Sequence, residues 1–256
     1  MQKRPPHVLL ICFDDLNDWI GCLGGHPQVK TPHIDRLARR GMLFESAHCQ
    51  SPLCASSRTS LLTGRRPTST GVYNLQPWIR TIPEFQSVTT LPQHFAKHGY
   101  KTMAVGKVFH DGHGASEWNG PTFVGGYKNI PKTKLVQPSA DPNPLIDWGA
   151  WPERDEDHDD SKLADWAIEQ LENGKNSEQP WFLGVGFRSP HVPCYAPQKW
   201  FDIYPEATLK LPGIRRGDRD DTPEFSWYLH WKLPEPRLSW LEKNNQWKSL
   251  VRSYLT

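Results

Sequence analysis

Nowhere in these 256 residues is there an apolar run of the length a helical membrane span needs, about 20 residues, and the formal charge is only +2. The first absence leaves no membrane partner to expect. The second removes the electrostatic case for a nucleic-acid partner, and no block of like charges forms an interaction tail. Cysteine is sparse: five residues, an odd number, with no CxxC pair and no zinc-ligand spacing. Neither a disulfide framework nor a structural zinc site is expected from that pattern. Internal repeats are absent too. The opening residues, Met1 to Pro6, reach the first apolar run too soon for a signal peptide. As written, the chain therefore reads as soluble and cytoplasmic.

What is plentiful is Trp (12), Pro (24) and Gly (19). That mixture suits an enzyme with long ordered loops better than a disordered segment. The length favours one α/β domain over two. His7 to Phe13 is a short continuous apolar run, the pattern of a strand buried on both faces of a parallel sheet, and it ends abruptly in Asp14-Asp15. Thr31-Pro32 opens a helix with Ile34, Leu37 and Ala38 as its apolar stripe, and Gly41 stops it. Met42 to His48 reads as a second strand, and a second helix starts near Cys54 and runs to Gly64. Thr90 caps a third helix from Leu91 to His98. Tyr100 to Gly106 is a strand leading into Lys107 and His110. Residues 110–158 lack steady periodicity and are too long for a plain connector, so an ordered excursion shaping a site is expected. Lys162 to Leu171 is amphipathic, Trp181 to Phe187 is another buried strand, and a loop carrying Pro190-His191-Val192-Pro193 follows. The alternation predicts an α/β fold with a mostly parallel sheet flanked by helices. The last segment has Trp247, Leu250, Val251, Tyr254 and Leu255 at helical spacing, a stripe expected to lack a partner in this chain.

Three strand ends carry unusual chemistry: Asp14-Asp15, Lys107 with His110, and the His191 loop. In open α/β sheets that is where ligands bind. Adjacent carboxylates repel each other, and a hard divalent cation stabilises both in ionised form. A solvated acidic loop explains the pair equally well. Cys54, at a helix start with Arg58 one turn later, suggests a reactive thiolate or an anion-binding turn. A small buried residue before a helix would read the same way. His33, His48, His94, His98, His113 and the acidic run from Asp155 to Asp160 call for no role beyond the surface.

The segment Cys54-Ala55-Ser56-Ser57-Arg58, followed by Leu61-Leu62-Thr63-Gly64-Arg65-Arg66-Pro67, resembles the signature of the formylglycine-dependent sulfatases of the alkaline phosphatase superfamily. Further matching blocks occur in family order: Phe13 to Leu16, Thr31 to Ala38, Thr102 to His110, and Pro190 to Pro193. Together they most resemble the iduronate-2-sulfatase branch and span nearly the whole chain.

The resemblance implies an alkaline-phosphatase-like sheet and a sulfuric ester hydrolase acting on a sulfated carbohydrate of the glycosaminoglycan kind. It implies that Asp14 and Asp15 bind one divalent cation, calcium in most of the family. Cys54, converted to formylglycine by a maturation enzyme, would be both metal ligand and nucleophile. Arg58 would hold the hydrated aldehyde and Lys107 would neutralise sulfate oxygens. His110 would assist release of sulfate from the covalent intermediate, and His191 would protonate or orient the leaving alcohol. Family members are usually exported to periplasm, lysosome or the extracellular space.

Three departures from the family pattern carry expectations of their own. Ser56 stands where the maturation signature has Pro or Ala, which weakens conversion of Cys54. The family's remaining ligands, an Asp followed by His or Asn and a second Lys, are expected beyond Thr256. The chain therefore reads as the N-terminal part of the catalytic domain, truncated at its C-terminus, weakly active or inactive, with an open sheet edge. Arg188-Ser189 precedes Pro190-His191 where the iduronate branch often has other polar residues. A phosphodiester or phosphonate ester hydrolase of the same superfamily and a non-catalytic sulfatase-like protein are the competing readings.

Overall fold

A computed structural model gives the fold and describes residues 4–110, 114–123, 128–228 and 236–256. His113 lies outside the described residues, as do other parts of the 110–158 excursion. The strands are β1 (Val8–Phe13), β2 (Lys101–Gly106), β3 (Thr122–Phe123), β4 (Trp148–Ala150), β5 (Trp181–Phe187) and β6 (Cys194–Ala196). By contacts the chain divides into two compact units. The first comprises Met1–Asp15, Phe44–Lys128 and Asp159–Arg188; the second comprises Leu16–Leu43, Asn129–His158 and Ser189–Thr256. Among the described residues no helix is long and apolar enough to cross a membrane.

The first unit is a four-stranded sheet in the order β1-β5-β2-β3, with every pairing parallel. β5 is buried along almost its whole length, which is why its sequence is an unbroken apolar run. Its two faces feed two cores. Phe182 packs with Leu62, Tyr100, Val108 and Trp118 on one side. Leu183 and Val185 pack with Met103, Val105 and Leu163 on the other. Each fully buried Leu, Val or Phe side chain contributes roughly 1.5–3 kcal/mol of transfer free energy. The outer strand β1 is not buried on both faces as its apolar run predicts: at the end of the strand order it alternates between half-buried and exposed positions, with Leu9, Ile11 and Phe13 on its open face.

The helix Leu91–Lys97 has the expected start, a capping box between Thr90 and Gln93. The amphipathic stretch after residue 158 is a longer helix than its apolar stripe predicts, Asp159–Gly174, because Asp159 and Asp160 occupy its first turn. Carboxylates are favourable there.

The predicted strand from Met42 to His48 does not form. The segment makes no ladder, and Met42 and Phe44 are 79% and 69% exposed. Its β propensity has no neighbouring strand to satisfy, and a strand without a partner leaves its backbone groups to water. The helix Pro32–Arg40 forms as expected but buries no residue fully, and Leu37 of its predicted stripe is 65% exposed.

The second unit is built around the parallel pair β4 and β6. Trp148, Val136, Ile146, Cys194 and Leu241 form one cluster. The last helix, Trp247–Leu255, is not left without a partner. Its Val251 and Leu255 are buried against Tyr204 and Leu209. Those two residues come from a stretch with no periodicity, so the pattern of the sequence did not reveal them. Asp147 is fully buried here. It accepts hydrogen bonds from the backbone N–H groups of Leu135 and Val136 at 2.9 Å each and from the Tyr195 hydroxyl at 2.5 Å.

Candidate active site

Parallel pairing places the carboxyl ends of β1, β5 and β2 on the same side, with Phe13 opposite Phe187 and Gly106 opposite Gly186. Asp14 therefore emerges one residue past the end of β1, fixed by its backbone N–H to the Phe187 carbonyl oxygen at 3.1 Å. Lys107 emerges one residue past β2, its N–H on the Gly186 carbonyl oxygen at 2.8 Å. Two glycines make this crossing feasible. Gly106 has φ +74°, and a Cβ at Gly186 would stand 2.1 Å from the Lys107 carbonyl oxygen.

The helix Cys54–Thr63 supplies the third element of the site. Gly64 ends it in the left-handed conformation at φ 68°, and Ala55, Ser56, Arg58, Thr59, Ser60 and Leu62 are buried. Cys54 is half-buried at the N-terminal end, where the orphan N–H groups of the first turn create a positive field. A carboxylate oxygen of Asp14 lies within 4.8 Å of the Cys54 thiol sulfur.

Asp14 is only 4% exposed and accepts from two cations. Arg58 Nη2 donates to its Oδ1 at 2.8 Å, and Lys107 Nζ donates to its Oδ2. Arg58 Nη1 donates in turn to the carbonyl oxygens of Lys107 and of Val108, the latter at 3.2 Å. Burial pushes the Asp14 carboxyl upward, but the charges and hydrogen bonds of Lys107 and then Arg58 outweigh it and hold the pKa below the usual value. Burial raises the neighbouring Cys12 thiol, with Arg58 opposing and Asp14 adding to the rise. Cys12 is thus kept as a neutral thiol behind the site.

The structure thus brings Asp14, Cys54, Arg58 and Lys107 together within the first unit. Asp15 follows Asp14 at a left-handed φ of 57° and is exposed. His110 is buried, and with Ala55, Arg58 and Thr59 it lines a small cavity closed by Trp78 and Phe109. Trp78 meets Phe109 edge-on at 5.4 Å. Neither aromatic stands out in the sequence, where tryptophans are common and no spacing marks one as part of a site. His191 belongs to the second unit, where its Nδ1 stands 2.5 Å from the Val192 carbonyl oxygen.

As a candidate cation site, the Asp14 carboxylate and the Cys54 side chain are close enough for one ion to reach both, since calcium–oxygen distances are about 2.3–2.6 Å. The thiol itself is a soft donor that a hard cation disfavours, whereas an oxygen in its place would match the carboxylates. These residues fit a hard divalent cation if the sulfur of Cys54 is exchanged for oxygen.

Residues 6–255 match the sulfatase family model. A sulfatase from Formosa agariphila is 34% identical over 264 residues, covering 98% of this chain and 52% of that protein. The iduronate 2-sulfatase of Homo sapiens is 35% identical over 222 residues, covering 80% of this chain and 38% of that protein. The chain thus spans about half, or less, of the length of these relatives. Among solved structures, a phosphonate monoester hydrolase from Silicibacter pomeroyi superposes with a TM-score of 0.68 at 22% identity, over 98% of this chain and 56% of that one. The phosphonate monoester hydrolase of Agrobacterium radiobacter does so with a TM-score of 0.66 at 17% identity, over 98% and 56%. At such identities the likeness speaks to the fold.

Proposed function

The chain belongs to the sulfatase family, and from that premise we propose that it carries the nucleophile and anion-binding portion of a sulfuric ester hydrolase site. The substrate class we assign is a sulfated carbohydrate of the glycosaminoglycan kind, after the iduronate 2-sulfatase likeness. The observation that supports the reading is the convergence of Asp14, Cys54, Arg58 and Lys107 from three separate elements.

In this reading a maturation enzyme oxidises Cys54 to formylglycine, whose hydrated form offers oxygen in place of sulfur. Asp14, Asp15 and the modified Cys54 would hold one divalent cation, calcium in this reading. When bound, that ion supplies Lewis-acid polarisation of the sulfate oxygens. The chain's own residues do the rest. The positive end of the Cys54–Thr63 helix and the Lys107 ammonium neutralise the anionic oxygens, where buried, preorganised charge acts most strongly. Arg58 is fixed by the carbonyl oxygens of Lys107 and Val108 and so orients the side chain at position 54 without reorganising. His110 is assigned assistance in the release of sulfate, and His191 protonation of the leaving alcohol, both from their motifs.

The test is a paired rate measurement on an aryl sulfate and an aryl phosphodiester, with the wild type and Cys54→Ala. The expected result is weak sulfate hydrolysis, still faster than that of the phosphodiester, that vanishes in Cys54→Ala. A preference for the phosphodiester would move the assignment to phosphorus chemistry. Sulfate turnover surviving in Cys54→Ala would defeat the nucleophile assignment.

A further inference from the structure

We propose that the buried ion pair Arg80–Glu117 is a positioning device for His110, closing an aromatic vice on the residue before it. That His110 has a reacting group to meet rests on the sulfuric ester hydrolase reading; the vice itself does not.

Phe109, next to His110 in the chain, is held from three directions. Trp78 meets it edge-on at 5.4 Å and Trp118 edge-on at 6.3 Å. Gly114 lies so close that a Cβ there would stand 2.3 Å from the Phe109 ring. Trp118 is backed by Phe182 of β5, stacked at 5.6 Å with the ring planes 7° apart. One jaw of the vice is therefore fixed to the sheet. Trp78, the other jaw, only precedes the short 3₁₀ turn Ile79–Thr81 and has no strand or longer helix of its own.

The ion pair supplies what that jaw lacks. Arg80 stands two residues after Trp78 and Glu117 one before Trp118, so joining them sets the spacing of the two tryptophans. The pairing is a fork. Arg80 Nε donates to Glu117 Oε1 at 2.7 Å and Nη2 to Oε2 at 2.5 Å. Such a geometry fixes direction as well as distance. The rest of the guanidinium is also engaged: Nη1 donates to the carbonyl oxygens of Gln86 at 2.9 Å and Val88 at 2.7 Å, and Nη2 to Gln93 Oε1 at 3.1 Å. Glu117, 3% exposed, accepts in addition from the Thr90 hydroxyl at 2.8 Å. Thr90 and Gln93 form the capping box of the Leu91–Lys97 helix, so the fork is anchored to that helix as well.

Stability alone accounts poorly for this arrangement. Desolvating two opposite charges offsets most of what their attraction returns, and an apolar pair of similar volume often does as well. What an apolar pair cannot supply is orientation. His110 is buried beside Ala55 and Arg58. In a close-packed interior a shift of the Phe109 ring is passed on to the residue that follows it.

The experiment uses the full 256-residue chain labelled with carbon-13 at histidine Cε1. The His110 resonance is identified as the one lost in His110→Gln. Glu117→Gln keeps the shape of the pair and removes the charge, and Arg80→Lys keeps the charge and removes the fork. Met103→Ala, in the core on the other face of the sheet, controls for lost stability alone. All are read well below their unfolding temperatures. The His110 resonance is expected to move or split in both pair variants and to stay in place in Met103→Ala. On an aryl sulfate the pair variants should lose about 10- to 100-fold in kcat with KM changed less than about twofold, as a misplaced group would give. A resonance unmoved in both, or moved as far in Met103→Ala, would overturn the proposal. So would a moved resonance with unchanged kcat in an active chain. If one pair variant does not fold, the other decides. Failure of both would show a pair that holds the fold rather than aims one side chain, which also overturns the proposal. The resonance is read without turnover. A wild type that hydrolyses no aryl sulfate would therefore defeat the catalytic reading and leave the vice to be judged by the resonance, whereas unmoved resonances beside intact turnover would defeat the vice alone.

Discussion

A carboxylate oxygen of Asp14, past the end of the outer strand β1, lies within 4.8 Å of the Cys54 sulfur at the start of a helix. That proximity is the spatial condition the whole assignment depends on, and it depends on Asp14 being held in place by Arg58 and Lys107. Removing the charge of Asp14 leaves two buried cations without their counter-ion. Asp14→Asn is expected to destabilise the chain by about 3–5 kcal/mol, the usual cost of breaking a buried pair. Urea unfolding of the two proteins measures this, and a difference below about 1 kcal/mol would contradict the buried-pair description.

Ser56 is fully buried, its hydroxyl bonded to Ser51 Oγ at 2.9 Å and to the Leu53 carbonyl oxygen at 3.1 Å. Ser56→Ala removes both bonds and is expected to cost about 1 kcal/mol. Ser56→Pro falls in the first helical turn, where a missing N–H is tolerated. Both changes restore residues of the maturation signature. Each is expected to raise the fraction of Cys54 converted to formylglycine on coexpression with the maturation enzyme. Mass analysis of the Cys54 peptide reads the conversion directly, and unchanged thiol in both variants would count against the signature reading.

Much of the scaffold around this site was legible in advance. The runs Val8–Phe13 and Trp181–Phe187 both form strands, but only the second has the position between neighbours that an unbroken apolar stretch suits; the first is the outer strand, with alternate residues exposed. Pro32, Thr90, Gly41 and Gly64 mark helix ends by backbone rules that act locally. What failed were the expectations that hinge on distant partners. The stretch from Met42 to His48 has strand-like residues but no ladder. The last helix finds cover on Tyr204 and Leu209, which no periodicity announces. The double pairing of Asp14 was equally hidden. It follows from β5 lying between β1 and β2, a strand order that sequence patterns do not encode.

Leu62 anchors the Cys54 helix in the core formed with Tyr100, Phe109, Trp118 and Phe182. Because it is fully buried, Leu62→Ala is expected to cost about 2–5 kcal/mol. Since the same helix presents position 54, the variant should also bind inorganic sulfate more weakly than its residual stability alone would predict. Denaturation midpoints and sulfate titration by calorimetry, run well below the unfolding temperature, separate the two effects.

Alkaline stability should report on the Tyr195–Asp147 contact. Burial, followed by the hydrogen bond to Asp147, pushes the Tyr195 hydroxyl far above its ordinary value of 10.0. A folded-state pKa above the unfolded one favours folding fully below about pH 10. The contribution is lost as pH climbs from there toward the folded value. The wild type should therefore lose melting temperature between about pH 9.5 and 11 more steeply than Tyr195→Phe. Parallel curves for the two proteins would show that the phenol is not the responsible group.

The close approach of Gly186 to the Lys107 carbonyl oxygen has a consequence for how this molecule could diversify. A single methyl at 186 would wedge β5 away from the turn that carries Lys107. Position 186 is thus locked to glycine, and the geometry it supports admits no gradual path of change.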